Sequence, residues 1–354
     1  MRKICFVAQF PPPIHGLSKA VDTLYKSSLS SIYDFTKIDI KDNTQILQTI
    51  IKILTIKTDL FYFTISQTIW GNIRDLLLLA LFKLRRKKCV IHLHGGYYRN
   101  LIDHDCGFLQ RKLNYILVSR VDKAIVLSES LKCIFDGILP QEKVIVVGNG
   151  VDKQFLPTVI EKHVRTEKLN LVYLSNFIKE KGYVEVLEVA NSIKEKGLED
   201  KFCFCFAGKF YSELDFKYFN QYIKEHQLVN VEYHGVVLGD KKNELLLKGH
   251  IFFLLTKYPN EGQPISLLEA MGNGMAIITT NHAGIPDIVT NERGLICDVN
   301  NINIHDITNY LIKCYQDRQY LKIVGEQNHK YIQEFYTEDI YIDNMGKVFN
   351  DVMI

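Results

Sequence analysis

Glu261 and Glu269 stand eight residues apart in the run Glu261-Gly262-Gln263-Pro264-Ile265-Ser266-Leu267-Leu268-Glu269-Ala270-Met271. Apolar, strand-like segments flank it, Ile251 to Leu255 before and Ala276 to Thr280 after. This order places Glu261 on a loop and Glu269 inside a helix. Pro264 suits the first helical turn, where no backbone donor is needed, and Asn273-Gly274 supplies a stop. The N-terminus of such a helix offers free N–H groups to a phosphate. A carboxylate one and a half turns further on can accept two hydrogen bonds from the vicinal hydroxyls of a ribose. That combination suits a nucleotide-linked sugar. Most glutamates are simply solvated, but Leu267, Leu268, Ala270 and Met271 argue against that fate for Glu269.

Other candidates fall at the ends of apolar runs. Leu174-Ser175-Asn176 ends one, and Lys181-Gly182 opens the next helix. A lysine there can neutralise a diphosphate as a compact charge, and Lys179 could do the same. The alternative is two solvated lysines on a loop. Val90-Ile91-His92-Leu93-His94-Gly95-Gly96 reads as the third strand of the chain, with both imidazoles on one side. His92 reads as a satisfied core histidine. His94, followed by two glycines that leave room for a ligand, is the site candidate. Near the N-terminus, Pro11-Pro12-Pro13-Ile14-His15-Gly16-Leu17-Ser18 leads into a helix. Gly16 would let backbone approach an anion, or the prolines would merely stiffen a turn. The G-x-G-x-x-G fingerprint is absent, which counts against a nicotinamide enzyme.

These residues need a scaffold of alternating strands and helices. Buried strands are expected at Lys3 to Ala8, Asp59 to Ile65, Cys89 to His94, Lys123 to Leu127 and Lys143 to Val147. After a polar stretch, Pro157 to Lys168, the pattern restarts. Strands follow at Leu169 to Leu174, Phe202 to Ala207, Val231 to His234, Ile251 to Leu255 and Ala276 to Thr280. Continuous apolar strands separated by helices argue for parallel sheets covered on both faces. The expected organisation is an α/β chain of two doubly wound, Rossmann-like domains, residues 1–157 and 169–330, joined by a linker at 158–168. A helical segment, 331–354, is expected to pack back on the first domain.

The chain has 354 residues and a net charge of +3, too small to argue for nucleic acid. Its eight cysteines form no C-x-x-C pair and read as reduced core thiols of a cytosolic protein. Cys203 and Cys205 share one face of a strand, read here as poor geometry for a disulfide or a zinc site. The N-terminus has no signal-peptide layout, and no apolar stretch is long enough to span a membrane. The segment Leu76-Leu77-Leu78-Leu79-Ala80-Leu81-Phe82-Lys83-Leu84-Arg85-Arg86-Lys87-Lys88 has two readings. It is either a helix that docks on an anionic membrane through basic residues 83–88, helped by Ile50 to Lys57, or a core crossover helix with a basic end that suits its dipole.

The chain resembles the retaining glycosyltransferases of family 4, of GT-B fold, in which two Rossmann-like domains face a central cleft. The E-x7-E motif is matched by Glu261 and Glu269. Val147-Gly148-Asn149-Gly150-Val151-Asp152, with Phe155 and Pro157, is similar to the segment leading into the interdomain linker. Lys181-Gly182, Ala283-Gly284-Ile285-Pro286-Asp287 and Gly294-Leu295 match further family positions. The resemblance implies that Glu269 binds the donor ribose and that Glu261 and His94 lie by the donor sugar. It puts the backbone of Gln263, Pro264 and Ile265 near sugar and phosphate, Gly16 by the phosphates, and Lys181 against the departing nucleotide diphosphate. It also implies retention of configuration and neither a metal nor any other cofactor. The family's usual Gly-Arg is Ser175-Asn176 here, so Asn176 can donate a hydrogen bond but carries no charge, and Lys179 could compensate. Ile14-His15-Gly16 stands where Gly-Gly is common, and Asp287 where glutamate is usual. The implied activity is transfer from a UDP- or GDP-sugar to a saccharide, lipid-linked if docking holds, in capsule, O-antigen or exopolysaccharide assembly. The location would be the cytoplasm, including peripheral attachment to the inner face of the membrane. A sugar-nucleotide epimerase of the same fold and a non-catalytic sugar-binding subunit are the alternatives.

Overall fold

The computed structural model describes residues 1–12, 16–160 and 167–354. The loop residues Ile14 and His15 and most of the expected linker, 161–166, therefore lie outside the described residues. The chain divides into two compact units. The first comprises Met1–Gly150, Asn260–Gln263 and Glu338–Ile354, and the second Val151–Pro259 and Pro264–Thr337. The boundary thus falls at Gly150, seven residues before the expected one, and the loop carrying Glu261 groups with the first unit rather than the second.

The first unit holds a six-stranded parallel sheet of order β2-β1-β3-β4-β5-β6. Its strands are Arg2–Ala8 (β1), Tyr33–Asp39 (β2), Leu60–Thr64 (β3), Lys88–His92 (β4), Lys123–Val126 (β5) and Val144–Val146 (β6). Its helices are Gly16–Tyr25 (α1), Ile46–Thr55 (α2), Ile69–Leu84 (α3), the single turn Tyr98–Asn100 (α4) and Phe108–Val118 (α5). The expected strand set lacks β2, so the strand carrying His92 is the fourth of the chain, not the third, and His94 lies two residues beyond its end. β2 mixes polar and apolar residues along the sheet edge, with only Tyr33 and Ile38 buried, which hides it from a search for continuous apolar runs.

The second unit holds Leu169–Leu174 (β7), Phe202–Ala207 (β8), Val231–Tyr233 (β9), Ile251–Leu254 (β10), Ala276–Thr280 (β11) and Gly294–Cys297 (β12). They form a parallel sheet of order β12-β11-β10-β7-β8-β9. β12 is a further strand that the sequence reading lacks. The helices are Tyr183–Glu195 (α6), Glu213–Glu225 (α7), Gly239–Lys248 (α8), Ile265–Gly272 (α9), Ile304–Gln316 (α10) and Arg318–Phe335 (α11). Leu171, Tyr173, Phe204 and Phe253 feed one core, and Val172, Cys205, Phe252 and Leu254 feed the opposite one. Burial on both faces explains the unbroken apolar strands.

The last helix, Glu338–Met353 (α12), belongs to the first unit. Met345, Val348 and Phe349 join Ile4, Phe6, Tyr62 and Val90 in its core. Phe349 meets the rings of Phe6 and Tyr62 edge-on, with centroids 6.2 and 5.9 Å apart.

Candidate active site

In the second unit the strand order reverses between β7 and β10, the two strands reached from opposite directions along the sheet. Ligands of open parallel sheets bind outside the carboxyl ends at such a switch point. Two chain segments meet there. After β7, the 3-10 turn Lys179–Lys181 is held against the end of β10: the Lys257 N–H donates to Glu180 O at 2.7 Å. Gly182 closes the turn at φ +81, and an added Cβ would lie 2.4 Å from the Leu255 carbonyl oxygen. Only glycine fits both demands. Lys181, half-buried, has its ammonium 4.6 Å above the Tyr258 ring. Lys257 is engaged elsewhere, 2.9 Å from Glu185. Asn176 and Lys179 are exposed, and Lys179 lies 5.8 Å above the Tyr218 ring.

α9 is the crossover between β10 and β11, so its N-terminus points to the same carboxyl edge. Pro264 occupies its N-cap and Ile265 its first turn. The helix is buried on nearly all sides, including Glu269. The Glu269 carboxylate pairs with Lys242 of α8 at 2.5 Å, where the side chains retain 1% and 18% of their exposure. The Lys242 ammonium also lies 4.4 Å above the Phe155 ring. Asn273, capping the helix end, donates to Phe155 O at 2.7 Å and to Glu269 O at 2.9 Å. Glu269 is thus a buried carboxylate on a rigid helix with a cationic neighbour.

In the first unit, His92 and His94 stack with ring centroids 3.9 Å apart. His92 is fully buried and its Nδ1 is 2.7 Å from the Tyr62 hydroxyl. Burial, and then the neighbouring His94, hold its pKa well below the usual imidazole range. It is a core histidine, as its strand position implied. His94 is half-buried at the carboxyl edge. The Glu261 loop packs tightly beside it: an added Cβ on Gly262 would sit 2.8 Å from His94 O, and one on Gly95 would sit 2.5 Å from Asn260 O. Glu261 itself is buried. The side chain of Gln263 is committed to this packing. Its Oε1 accepts from the Asn149 N–H at 2.6 Å, and its Nε2 donates to Leu127 O at 3.0 Å. Asn149 Nδ2 returns a bond to Gln263 O at 2.9 Å. Only the backbone of Gln263 could then be offered to a ligand.

The structure therefore groups His94, Glu261 and Gln263 in the first unit, and Lys181, Pro264, Ile265 and Glu269 in the second. Asn176 and Lys179 lie after β7 with their side chains in solvent. Gly16 begins α1, directly after β1, the strand next to the β1/β3 reversal of the first sheet. Sequence reasoning missed three residues. Lys242 lies in the polar stretch Gly239-Asp240-Lys241-Lys242-Asn243, which carries no signal for a buried pair. Gln67 ends the β3 loop and accepts from the Tyr97 N–H at 2.6 Å. Asn149 was part of a matched family segment without an assigned contact.

Residues 157–334 match the family model described as glycosyl transferases group 1. The chain belongs to that family. Among curated relatives, WcaL of Escherichia coli strain K12, provisionally named a colanic acid biosynthesis glycosyltransferase, is 26% identical over 44% of this chain and 38% of its own length. The chain thus spans well under half of that relative. An Escherichia coli UDP-Gal:alpha-D-GlcNAc-diphosphoundecaprenol alpha-1,3-galactosyltransferase is 24% identical over 75% of this chain and 70% of its own. Among solved structures, Anabaena HepE in complex with UDP superposes with a TM-score of 0.76 at 13% identity, covering 99% of this chain and 100% of that one. A glycosyltransferase from Rickettsia africae gives 0.77 at 14%, covering 99% of each. The two Rossmann-like units are those of a GT-B glycosyltransferase.

Proposed function

We propose that this glycosyltransferase takes its sugar from a nucleotide diphosphate donor, retains the anomeric configuration, and needs no divalent metal. The observation that carries this reading is the convergence of Lys181 and the N-terminus of α9 on the β7/β10 switch point, with Glu269 buried one and a half turns along α9. Departure of the nucleotide diphosphate develops negative charge on its phosphates. The Lys181 ammonium and the free N–H groups of Ile265 and Ser266 are preorganised to receive it. Glu269 accepts the ribose hydroxyls, and Lys242 compensates its charge. Glu261 and His94, packed together in the first unit, are assigned to the transferred sugar. A UDP-sugar is the favoured donor, since a solved neighbour holds UDP. Retention and metal independence follow the resemblance to family 4.

The acceptor is read as a lipid-linked saccharide used in surface-polysaccharide assembly, as the galactosyltransferase relative suggests. The first unit supports a peripheral membrane site for it. α3 is two-sided: Leu76, Leu78, Leu79 and Phe82 are core, whereas Trp70, Ile73, Leu77 and Leu84 are exposed in a stripe spaced by helical turns. Phe108, Leu109 and Leu113 of α5 are exposed beside them, across an apolar groove of about 710 Å³. Leu47, Ile51 and Leu54 of α2 extend the exposed apolar set. Lys52, Lys83 and Lys112 lie on α2, α3 and α5, and Arg86 and Lys87 follow the end of α3. Two copies meeting through this face would bring cations against cations, whereas an anionic bilayer complements it. Among the described residues no helix is long and apolar enough to cross a membrane.

The test is incubation with UDP- and GDP-sugars and a polyprenyl-diphosphate saccharide, with and without EDTA, followed by assignment of the anomeric configuration by NMR. A transferred sugar of retained configuration in both conditions supports the reading. Inversion would overturn the retention, loss with EDTA the metal independence, and a sugar nucleotide altered without acceptor would favour the epimerase.

A further inference from the structure

A second cluster of reactive side chains lies on the far edge of the second sheet. Edge strand β9 pairs with β8 in parallel, with Cys205 opposite Glu232. Cys203 and Cys205, two residues apart, face the same side of β8. Their sulfurs are 3.7 Å apart. The carboxylate of Glu232 joins them, so that the three ligand atoms all lie within 4.8 Å of one another. Just past the end of β9, His234 places Nε2 3.4 Å from Glu232 Oε2. All four side chains line one pocket of about 460 Å³, rimmed by Lys241 of α8.

Two of these spacings match edges of a metal tetrahedron. Zinc–sulfur bonds of about 2.3 Å put two thiolates about 3.8 Å apart at the tetrahedral angle. Bonds of about 2.0–2.1 Å put an imidazole nitrogen and a carboxylate oxygen about 3.4 Å apart. The S···S and N···O separations observed match both edges. The donor set of two thiolates, an imidazole and a carboxylate suits zinc rather than the hard ions magnesium or calcium. The reading of Cys203 and Cys205 as poor zinc geometry considered β8 alone, whereas β9 supplies the missing ligands. A disulfide fits less well, because strand residues two apart are about 6.6 Å apart along the chain, near the upper limit for a bridge.

We propose that Cys203, Cys205 and Glu232 bind a zinc ion, with His234 turning in as the fourth ligand. The four ligand residues are distinct from the proposed sugar-transfer residues, although Lys241 at the rim is next in sequence to Lys242, the partner of Glu269. It ties the three-residue edge strand β9 to β8. The bound ion leaves one net negative charge on two thiolates and a carboxylate, which Lys241 at the rim offsets.

The test uses the full chain, reduced and stripped of metal, titrated with cobalt(II) as a spectroscopic probe and then with zinc. One equivalent of cobalt should give tetrahedral d–d bands and a thiolate charge-transfer band, displaced by zinc. Cys133 is also an exposed thiol, so the parent is compared with a Cys203→Ser/Cys205→Ser variant, which should lack the charge-transfer band. Glu232→Gln and His234→Gln, both at solvent-accessible positions, serve should the double variant fail to fold. Each removes a ligand and should bind zinc at least about tenfold more weakly, the lower end of the loss for a mere outer-shell partner. Zinc should raise the melting temperature of the parent and not of the variants. Identical cobalt spectra in parent and double variant would overturn the site. So would octahedral spectra without a thiolate band, zinc affinity unchanged in both single variants, or a Cys203–Cys205 disulfide in the protein as purified.

Discussion

The ammonium of Lys242 lies 2.5 Å from the carboxylate of Glu269, and the pair is almost entirely withdrawn from water. Removing one member of such a pair strands the other as an uncompensated buried charge. Lys242→Met should therefore lose about 3 kcal/mol of stability, read as a lower urea midpoint. Glu269→Gln removes the charge proposed to accept the ribose diol, and should weaken UDP binding by about 1–3 kcal/mol in calorimetry. Unchanged UDP affinity in a folded Glu269→Gln protein would remove the ribose assignment.

Much of this site was legible in the chain. Glu269 could be recognised as buried because Leu267, Leu268, Ala270 and Met271 surround it in sequence. Lys181-Gly182 could be placed as the opening of the helix after β7, where Gly182 is the N-cap of α6. Lys242 was not legible, since pairing it with Glu269 requires α8 to pack beside α9, which no local pattern encodes. The partners of Gln263, Asn149 and Leu127, are 114 and 136 residues away, so the sequence could assign a role to its backbone but none to its amide. β2 was missed because this edge strand buries only Tyr33 and Ile38 and so carries no continuous apolar run. The glutamate and histidine proposed to complete the Cys203–Cys205 cluster come from β9 and the residue just past its end.

The amide of Gln263 satisfies two buried backbone groups at once. Gln263→Ala leaves the Asn149 N–H and the Leu127 carbonyl without that partner, at about 1–3 kcal/mol each. We expect a stability loss of about 2–6 kcal/mol by chemical denaturation. Gln263→Glu should be no better, since a carboxylate would face the Leu127 carbonyl oxygen. A side chain that serves mainly as a ligand contact would instead leave the denaturation midpoint unmoved.

Gly182 combines a left-handed backbone with close approach to Leu255 O. Gly182→Ala should cost about 1–2 kcal/mol for the conformation alone, with displacement of the Lys179–Lys181 turn in addition. The functional readout is kcat, which should fall with Lys181 out of place even where the protein remains folded. Lys181→Ala should reproduce the loss of kcat with little change in stability.

His92 is held neutral by burial, with a pKa well below its unfolded value of about 6.5. Below pH 6.5 the unfolded chain takes up a proton there that the folded chain refuses. Stability should therefore fall as pH drops from about 6.5 towards the depressed folded value, by up to about 1.4 kcal/mol per pH unit. Above pH 6.5 this contribution is constant. The difference between parent and His92→Gln, measured by urea denaturation at pH 7 and pH 5, isolates it from the other histidines. An equal loss in both proteins would show that His92 is not its source.

Not all of the basic segment 83–88 is available to a membrane. Arg85 Nη1 donates to Ile53 O at 2.5 Å, and Lys88 Nζ donates to Val352 O. Replacing them would damage the fold and confuse a binding assay. Lys83, Arg86 and Lys87 are the residues to reverse. At about 1 kcal/mol each near an anionic surface, removing all three should weaken binding to phosphatidylglycerol-containing vesicles by about 3 kcal/mol, roughly a hundredfold. Trp70→Ser/Leu77→Ser tests the apolar part separately, and should weaken binding to neutral and anionic vesicles alike. Co-sedimentation of parent and both variants decides it. If all three bind equally, the α3 stripe is not a bilayer contact, and its apolar groove must be covered by another partner.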